Sequence, residues 1–392
     1  MPDVYVVSAC RTSFGRFGGM FRDLPAVELG AVAVREAISR AGLAPEAVQE
    51  AILGNCMGAA SLGQVPGRQV ALRAGLSPTA TVLDVNTACT SALVAVGLAF
   101  GRIGHGQTNA VVAGGFESMS QVPYTLPGAR FGYRLGNASI VDALTAALTC
   151  PITGVHMGVY AGRAAQAAGI DRAAQDRWAL HSQLRYEEAR AAGRMADEIV
   201  PVTVPAPKGA VTVVSDEQPR PDTTYEKLAA LPPAFEAGGT VTAGNAPGLN
   251  DGAAAMVLAD ERTAQALGTS PLARIVAAGR ASAAPPEINS VPALAVRVAL
   301  QDAGLDAQDI DLWEINEAFA AVPLTCIAEL GLDPGHVNVN GGAIAIGHPV
   351  GATGARILMA LILELRRRGG GRGVATLCGA GANGCAVVVE VS

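Results

Sequence analysis

Aromatic side chains make up only 4% of this 392-residue chain. Its core must therefore be filled by Ala, Val, Leu and Ile, with glycine letting elements approach closely. Cations are also in deficit, 28 Lys and Arg against 34 Asp and Glu for a net charge of -6. That balance excludes a non-specific nucleic-acid binder, which needs clustered Lys and Arg to neutralise phosphates. No apolar run reaches the roughly 18 residues of a membrane-spanning helix. None of the seven cysteines forms a C-x-x-C pair, so a zinc ribbon and a thioredoxin-type site are excluded. P-loop, H-E-x-x-H and EF-hand spacings are missing as well, and no metal is expected. The first residues read as a strand, with no charged region ahead of an apolar stretch. With an odd number of thiols, this points to reduced cysteines and a cytoplasmic location.

What is present is half hydrophobic and alternates short apolar strands with alanine-rich helices, the pattern of an α/β fold. Strands are expected at 4–8, 51–53, 82–85 and 110–113, with helices over 26–41, 64–74 and 90–102. The C-terminal third repeats the grammar. Strands are expected at 273–278, 310–314, 373–378 and 385–390, and helices over 291–303, 318–329 and 355–368. Continuous apolar strands suit a sheet covered on both faces. Ala41-Gly42-Leu43 and Ala303-Gly304-Leu305 end helices in the same way in the two halves, which hints at duplication. The middle, rich in Pro, Gly and Arg, breaks the pattern. It is expected to be an inserted, surface-facing domain, with Trp178 on a polar helix over 176–192. A hairpin is expected there, its turn at Ala206-Pro207-Lys208-Gly209.

Three short segments carry candidate chemistry. Cys89 stands where a strand breaks just before a helix, so the helix N-terminus favours its thiolate; the competing reading is a small buried hydrophobe. His348, in Gly347-His348-Pro349, has a fixed, extended backbone and could deprotonate a thiol or donate to an oxyanion; a structural histidine is the alternative. Cys378 follows a strand and precedes Gly379-Ala380-Gly381-Ala382-Asn383-Gly384. Those glycines spell a dinucleotide fingerprint, yet only eight residues remain after them, with no helix and no acidic residue about 20 positions on, so they are read as presenting backbone N–H groups to a substrate oxygen. Asn316 either caps the helix after it or orients a water. Cys10, Cys56, Cys150, Cys326 and Cys385 are read as structural.

Taken together, these segments resemble the thiolase family along essentially the whole chain. The likeness runs from Arg11-Thr12 and Phe14-Gly15 through the segment around Cys89 and Gly114-Gly115-Phe116-Glu117-Ser118-Met119-Ser120. It continues through His156-Met157-Gly158, Thr242-Ala243-Gly244-Asn245, Leu249-Asn250-Asp251-Gly252-Ala253 and residues 316–320, to the glycine-rich His348 and Cys378 segments. The resemblance implies a five-layer αβαβα fold of two similar halves. Residues 1–118, completed by 250–271, would form one half and 272–392 the other. Residues 119–249 would be an inserted loop domain for coenzyme A and oligomer contacts.

The activity implied is reversible Claisen condensation of two acetyl-CoA to acetoacetyl-CoA and coenzyme A, most as in the short-chain members. His348 would take the proton of Cys89, which becomes an acyl-enzyme, and Cys378 would remove the α-proton of acetyl-CoA. His348 with a water held by Asn316, and the backbone N–H groups of Cys89 and Ala380, would form two oxyanion holes. His156, Met157, Ala243, Leu249, Ala318 and Phe319 match positions lining the pantetheine channel, and Arg220 one near the adenine. No cofactor would be bound permanently, coenzyme A thioesters being substrates. Residues 124–142, with Arg130, Tyr133 and Arg134, resemble the loop that joins dimers into homotetramers. The rival enzyme reading is a longer-chain 3-ketoacyl-CoA thiolase of fatty-acid breakdown; a non-catalytic binder of the same fold is the other. Two departures stand out: Pro247 replaces a frequent serine, removing a hydroxyl and an N–H, and Ala380 replaces a frequent glycine but keeps its N–H.

Overall fold

The computed structural model describes residues 2–58, 63–206 and 209–392. In chain order the core strands are β1 (Val4–Thr12), β2 (Glu50–Gly54), β3 (Thr81–Val85), β4 (Ala110–Ser118), β5 (Asn250–Asp260), β6 (Ala273–Ser282), β7 (Leu312–Ile315), β8 (Gly371–Gly379) and β9 (Asn383–Val391). The principal helices are α1 (Ala26–Arg40), α2 (Pro66–Ala74), α3 (Ser91–Gly104), α4 (Met157–Ala167), α5 (Arg172–Ala191), α6 (Val291–Ala303), α7 (Ala321–Leu330) and α8 (Thr353–Arg367).

The strands run in the order β7-β8-β9-β6-β1-β5-β4-β2-β3. In the N-terminal half, β3, β2 and β4 are parallel, and β5 and then β1 join antiparallel. The C-terminal half repeats this: a parallel bridge at Val337, β7 and β8 parallel, then β9 and β6 antiparallel. The halves meet where β1 pairs antiparallel with β6, Val4 opposite Ile275. The duplication reaches the helix ends. Gly42 and Gly304 sit at φ 68 and 66, the left-handed region that halts a helix cheaply only at glycine. The N–H of Leu43 then bonds Ile38 O at 3.3 Å and that of Leu305 bonds Leu300 O at 3.0 Å, the same closing turn in both halves.

Alternate side chains of one strand feed different cores, which is why the strands read as unbroken apolar runs. Val111 and Ala113 of β4 point to the central core, and Val112 and Phe116 to the outer one. On β9, Val387 and Val389 face the centre while Ala386 and Val388 face the opposite outer layer. Helices α3 and α8 fill the central layer, α1 and α2 cover one outer face, and α6 and α7 the other. The five layers follow. At Gly354 a Cβ would collide with the backbone of Leu93, so glycine lets α8 lie directly on α3.

Several sequence expectations shift. The helix expected from 318 begins at Ala321, because Asn316 N–H bonds Thr376 O and Ala320 N–H bonds Asn245 O, both at or below 3.0 Å. Those bonds hold 316–320 as an irregular wall instead. Residue Asn250 opens an eleven-residue strand, β5, that its glycine and alanine content disguised. Trp178 is on α5 as expected but faces inward, its Nε1 donating to Glu317 at 2.9 Å. Glu317 also accepts from Ser182 Oγ and the Ile344 N–H, so α5 is bolted to the C-terminal half. The hairpin strands are Val202–Ala206 and Gly209–Val213; Pro207 and Lys208 of its turn lie outside the described residues. Among the described residues, no helix is long and apolar enough to cross a membrane.

Candidate active site

Cys89 sits in the turn between β3 and α3, directly after Ala88, which is held at φ 56. A side chain there is strained and persists only when its neighbours over-determine it. They do: Ser91 Oγ accepts from Thr87 N–H at 2.9 Å and donates to Ala88 O at 2.6 Å, and Thr90 Oγ1 donates to Thr87 O at 2.7 Å. The turn holds the half-buried Cys89 against the cavity. Burial pushes its thiol up to about 12, opposed by the backbone N–H groups of Cys89 itself and of Ala380, while the Glu117 charge raises it further. The expected depression by the helix N-terminus is thus outweighed. Cys89 therefore rests as a thiol.

His348 enters α8 from the other half. Its backbone N–H donates to Asn250 Oδ1 at 2.9 Å, and its Nδ1 lies 2.7 Å from Thr353 Oγ1. Nε2 is buried and has no partner. Burial, and then the charge of Arg356, pushes the imidazole down to about 3, so it is neutral at rest. Cys378 lies near the end of β8, 1% exposed, its thiol held well above the ordinary value by burial and then by the neighbouring Cys89. The turn after it, with Gly381 at φ 78 and Ala382 at φ 56, exposes the Ala380 N–H. Asn383 Nδ2 secures that turn by donating to Ala380 O at 3.0 Å.

These groups share one largely apolar cavity of about 630 Å³. Cys89, His348, Cys378 and Ala380 line it, together with His156, Met157, Arg220, Ala243, Leu249, Ala318 and Phe319. Asn316 does not. It is buried, 1% exposed, and neither its Oδ1 nor its Nδ2 has a partner. Two unpaired polar atoms inside a protein cost about 1–3 kcal/mol each unless a water satisfies them. Pro247 lines the cavity as well.

Sequence reasoning missed three participants. Cys56, read as structural, lines the cavity, its thiol 3.0 Å from Ala88 O and 3.3 Å from Ser91 Oγ. Its unremarkable neighbours gave no sign of this, because the contact forms only when β2 and β3 pair. Phe235 stacks on His156 with ring centroids 4.5 Å apart and meets Phe319 edge-on at 6.3 Å. Its loop carries no motif. Glu117 is fully buried and accepts from the N–H groups of Cys56 at 3.0 Å, Met57 at 3.2 Å and Gly351 at 3.2 Å. Burial raises its carboxyl to about 7 against those donors. It joins the Cys89 side of the site to the His348 loop.

A neutral thiol, a neutral imidazole with a bare nitrogen and a second thiol lining one largely apolar cavity can perform acyl transfer followed by proton abstraction. Comparison with known proteins gives the same direction. Residues 4–262 match the family model described as thiolase, N-terminal domain, and residues 269–391 that of thiolase, C-terminal domain. The chain is 46% identical to the acetyl-CoA acetyltransferase of Cupriavidus necator over 392 residues, covering 100% of both. It superposes on the acetyl-CoA acetyltransferase of Bacillus anthracis with a TM-score of 0.97 at 42% identity, covering 100% of this chain and 99% of that one. Human mitochondrial 3-ketoacyl-CoA thiolase gives a TM-score of 0.97 at 40% identity, with the same coverage.

Proposed function

Because the chain belongs to the thiolase family, we propose that it catalyses the reversible condensation of two acetyl-CoA to acetoacetyl-CoA and coenzyme A. The observation that supports this most is the convergence of Cys89 and His348, from two loops, and Cys378, from the end of β8, on one largely apolar cavity.

In the proposed cycle Nε2 of His348 takes the Cys89 proton as Sγ attacks the thioester carbonyl of acetyl-CoA. The carbon–sulfur bond to coenzyme A breaks, and its sulfur leaves with that proton. Acetyl-Cys89 remains, its oxygen facing the N–H groups of Cys89 and Ala380. Cys378 next passes its proton to Nε2, and the resulting thiolate removes an α-proton from the second acetyl-CoA. The oxygen of that enolate faces Nε2–H and a water held by Asn316. The carbanion attacks the acetyl carbon, a carbon–carbon bond forms, and Cys89 departs as thiolate to recover the proton from Nε2. Thiolysis runs these steps backward.

His156, Met157, Ala243, Leu249, Ala318 and Phe319 are assigned to the pantetheine arm and Arg220 to the adenine end. Coenzyme A thioesters are the substrates, and no permanent cofactor enters the cycle. A cytoplasmic homotetramer belongs to the same proposal. Phe131 and Leu135, 93% and 97% exposed in the single chain, supply the apolar surface for the contact between dimers.

The test is thiolysis of acetoacetyl-CoA by purified protein with free coenzyme A, followed by mass spectrometry of quenched enzyme. Cleavage with acetylated Cys89 is expected; no cleavage, or acetyl on another residue, would refute the assignment. The likeness to a 3-ketoacyl-CoA thiolase favours a second reading with broader chain length in fatty-acid metabolism. Rates on C4 against C8–C16 3-ketoacyl-CoA separate the two.

A further inference from the structure

The cycle above uses one nitrogen of His348 and says nothing of how that nitrogen is kept bare. Neutral imidazole protonates either nitrogen, and only a lone pair on Nε2 can accept a thiol proton. We infer that the hydroxyl of Thr353 fixes this choice, holding the hydrogen on Nδ1 so that Nε2 alone exchanges protons with the two thiols. The inference rests on the thiol–imidazole reading of the site.

Thr353 is fully buried at the first turn of α8. Its Oγ1 lies 3.0 Å from Pro349 O and 2.7 Å from His348 Nδ1. A hydroxyl has one hydrogen, and the Pro349 carbonyl can only accept. With that hydrogen given to Pro349, the oxygen turns a lone pair to Nδ1, which must then be N–H. The opposite tautomer would forfeit the bond to Pro349 and aim an N–H at the thiols instead of a lone pair. The ring has little freedom to escape, because the N–H of His348 is tied to Asn250 Oδ1 and Pro349 follows, and buried Nε2 has no partner to compete for the hydrogen.

A hydroxyl also suits the chemistry better than the carboxylate that often backs a catalytic histidine. The imidazole must take a proton from a thiol and release it again within each half of the cycle. An anionic partner would stabilise imidazolium and retain the proton. A neutral acceptor orients the ring without doing so. Thr353 is thus a positioning residue: it touches no substrate and acts through His348.

Histidine-labelled protein tests this through ¹H–¹⁵N correlation at neutral pH, with His348→Asn identifying the resonances. Wild type is expected to show Nδ1 protonated and Nε2 bare, and Thr353→Val, which keeps shape but not the hydroxyl, a mixed or inverted pair. Single-turnover acetylation of Cys89 by acetyl-CoA should slow about 10²-fold in Thr353→Val, as when an orienting partner or tautomer is lost. Affinity for acetyl-CoA should stay within about twofold, and Thr353→Ser should recover acetylation to within about fivefold. Wild type with Nε2 protonated overturns the inference, as does Thr353→Val acetylating at the wild-type rate or Thr353→Ser no faster than Thr353→Val. Should Thr353→Val not fold, the wild-type spectrum and Thr353→Ser decide alone. Wild type that is never acetylated at Cys89 sinks the proposed function instead, while the spectrum still reports the tautomer.

Discussion

The two halves place different chemistry at the same point of the same topology. In each, the parallel edge of the sheet leads into a central helix whose N-terminus faces the cavity. The N-terminal half delivers Cys89 there through the short connection 86–90, strained at Ala88. The C-terminal half delivers His348 through the longer connection 338–352, which carries its own helical turn, Ala343–Ile346. A short strained turn can hold a thiol rigidly against the cavity. A long braced loop can bury a ring, satisfy one nitrogen and leave the other bare. The repeated topology supplies two helix ends at one cavity, and the different loops place a thiol at one and an imidazole at the other, the pair proposed above as nucleophile and base.

The sharpest way to break this comparison is to remove each partner. Cys89→Ala is expected to abolish acetyl-enzyme and lower turnover by more than about 10⁴-fold, as nucleophile deletions do. Cys378→Ala should still acetylate yet fail to exchange the α-hydrogens of acetyl-CoA with deuterated solvent, and normal exchange would remove it as the base. Asn316→Ala should slow condensation about 10²–10³-fold, the usual loss of one oxyanion donor, while acetylation in single turnover stays near wild type.

The buried imidazole leaves its thermodynamic signature in acid, whereas that of the Cys89 thiol, raised to about 12, falls in alkali. The imidazole value is depressed from 6.5 to about 3, so the unfolded chain binds a proton that the folded one refuses. Stability from this group is present above pH 6.5 and is lost as pH falls toward 3. Between pH 7.5 and 5 the loss is about 2 kcal/mol. Urea titrations of wild type and His348→Asn should show that acid-dependent difference; parallel losses in both would contradict the burial argument. The smallest effect is expected in the tunnel, where Phe235→Ala removes the ring stacked on His156. The KM for acetoacetyl-CoA should rise about threefold to tenfold with kcat nearly unchanged, since an aromatic contact contributes about 0.5–1.5 kcal/mol.

Much of this was legible beforehand, for identifiable reasons. Glycine stops at Gly42 and Gly304 and the apolar strands are local signals, so the α/β grammar and its repetition could be read without coordinates. Cys89, His348 and Cys378 stand at strand and helix boundaries that their glycine- and proline-bearing or strand-ending neighbours mark, although Cys378 and His348 prove to be buried. Phe235, Cys56 and Glu117 were not legible, because each owes its place to a partner far along the chain. The start of α7 was misjudged because Thr376 and Asn245 hold 316–320 out of the helix its composition favours. The thiol of Cys89 ran opposite to the local expectation because burial, a property of the assembled layers, exceeds the pull of two N–H groups.

The sequence by itself determined the elements, their repetition and the residue types that could do chemistry, since propensity, patterning and side-chain chemistry are properties of short segments. Only the tertiary structure decided which nitrogen of His348 is bare, how far burial shifts each thiol, and which distant side chains wall the tunnel. Those depend on distances and on exclusion of water, and neither exists until the two halves close upon α3 and α8.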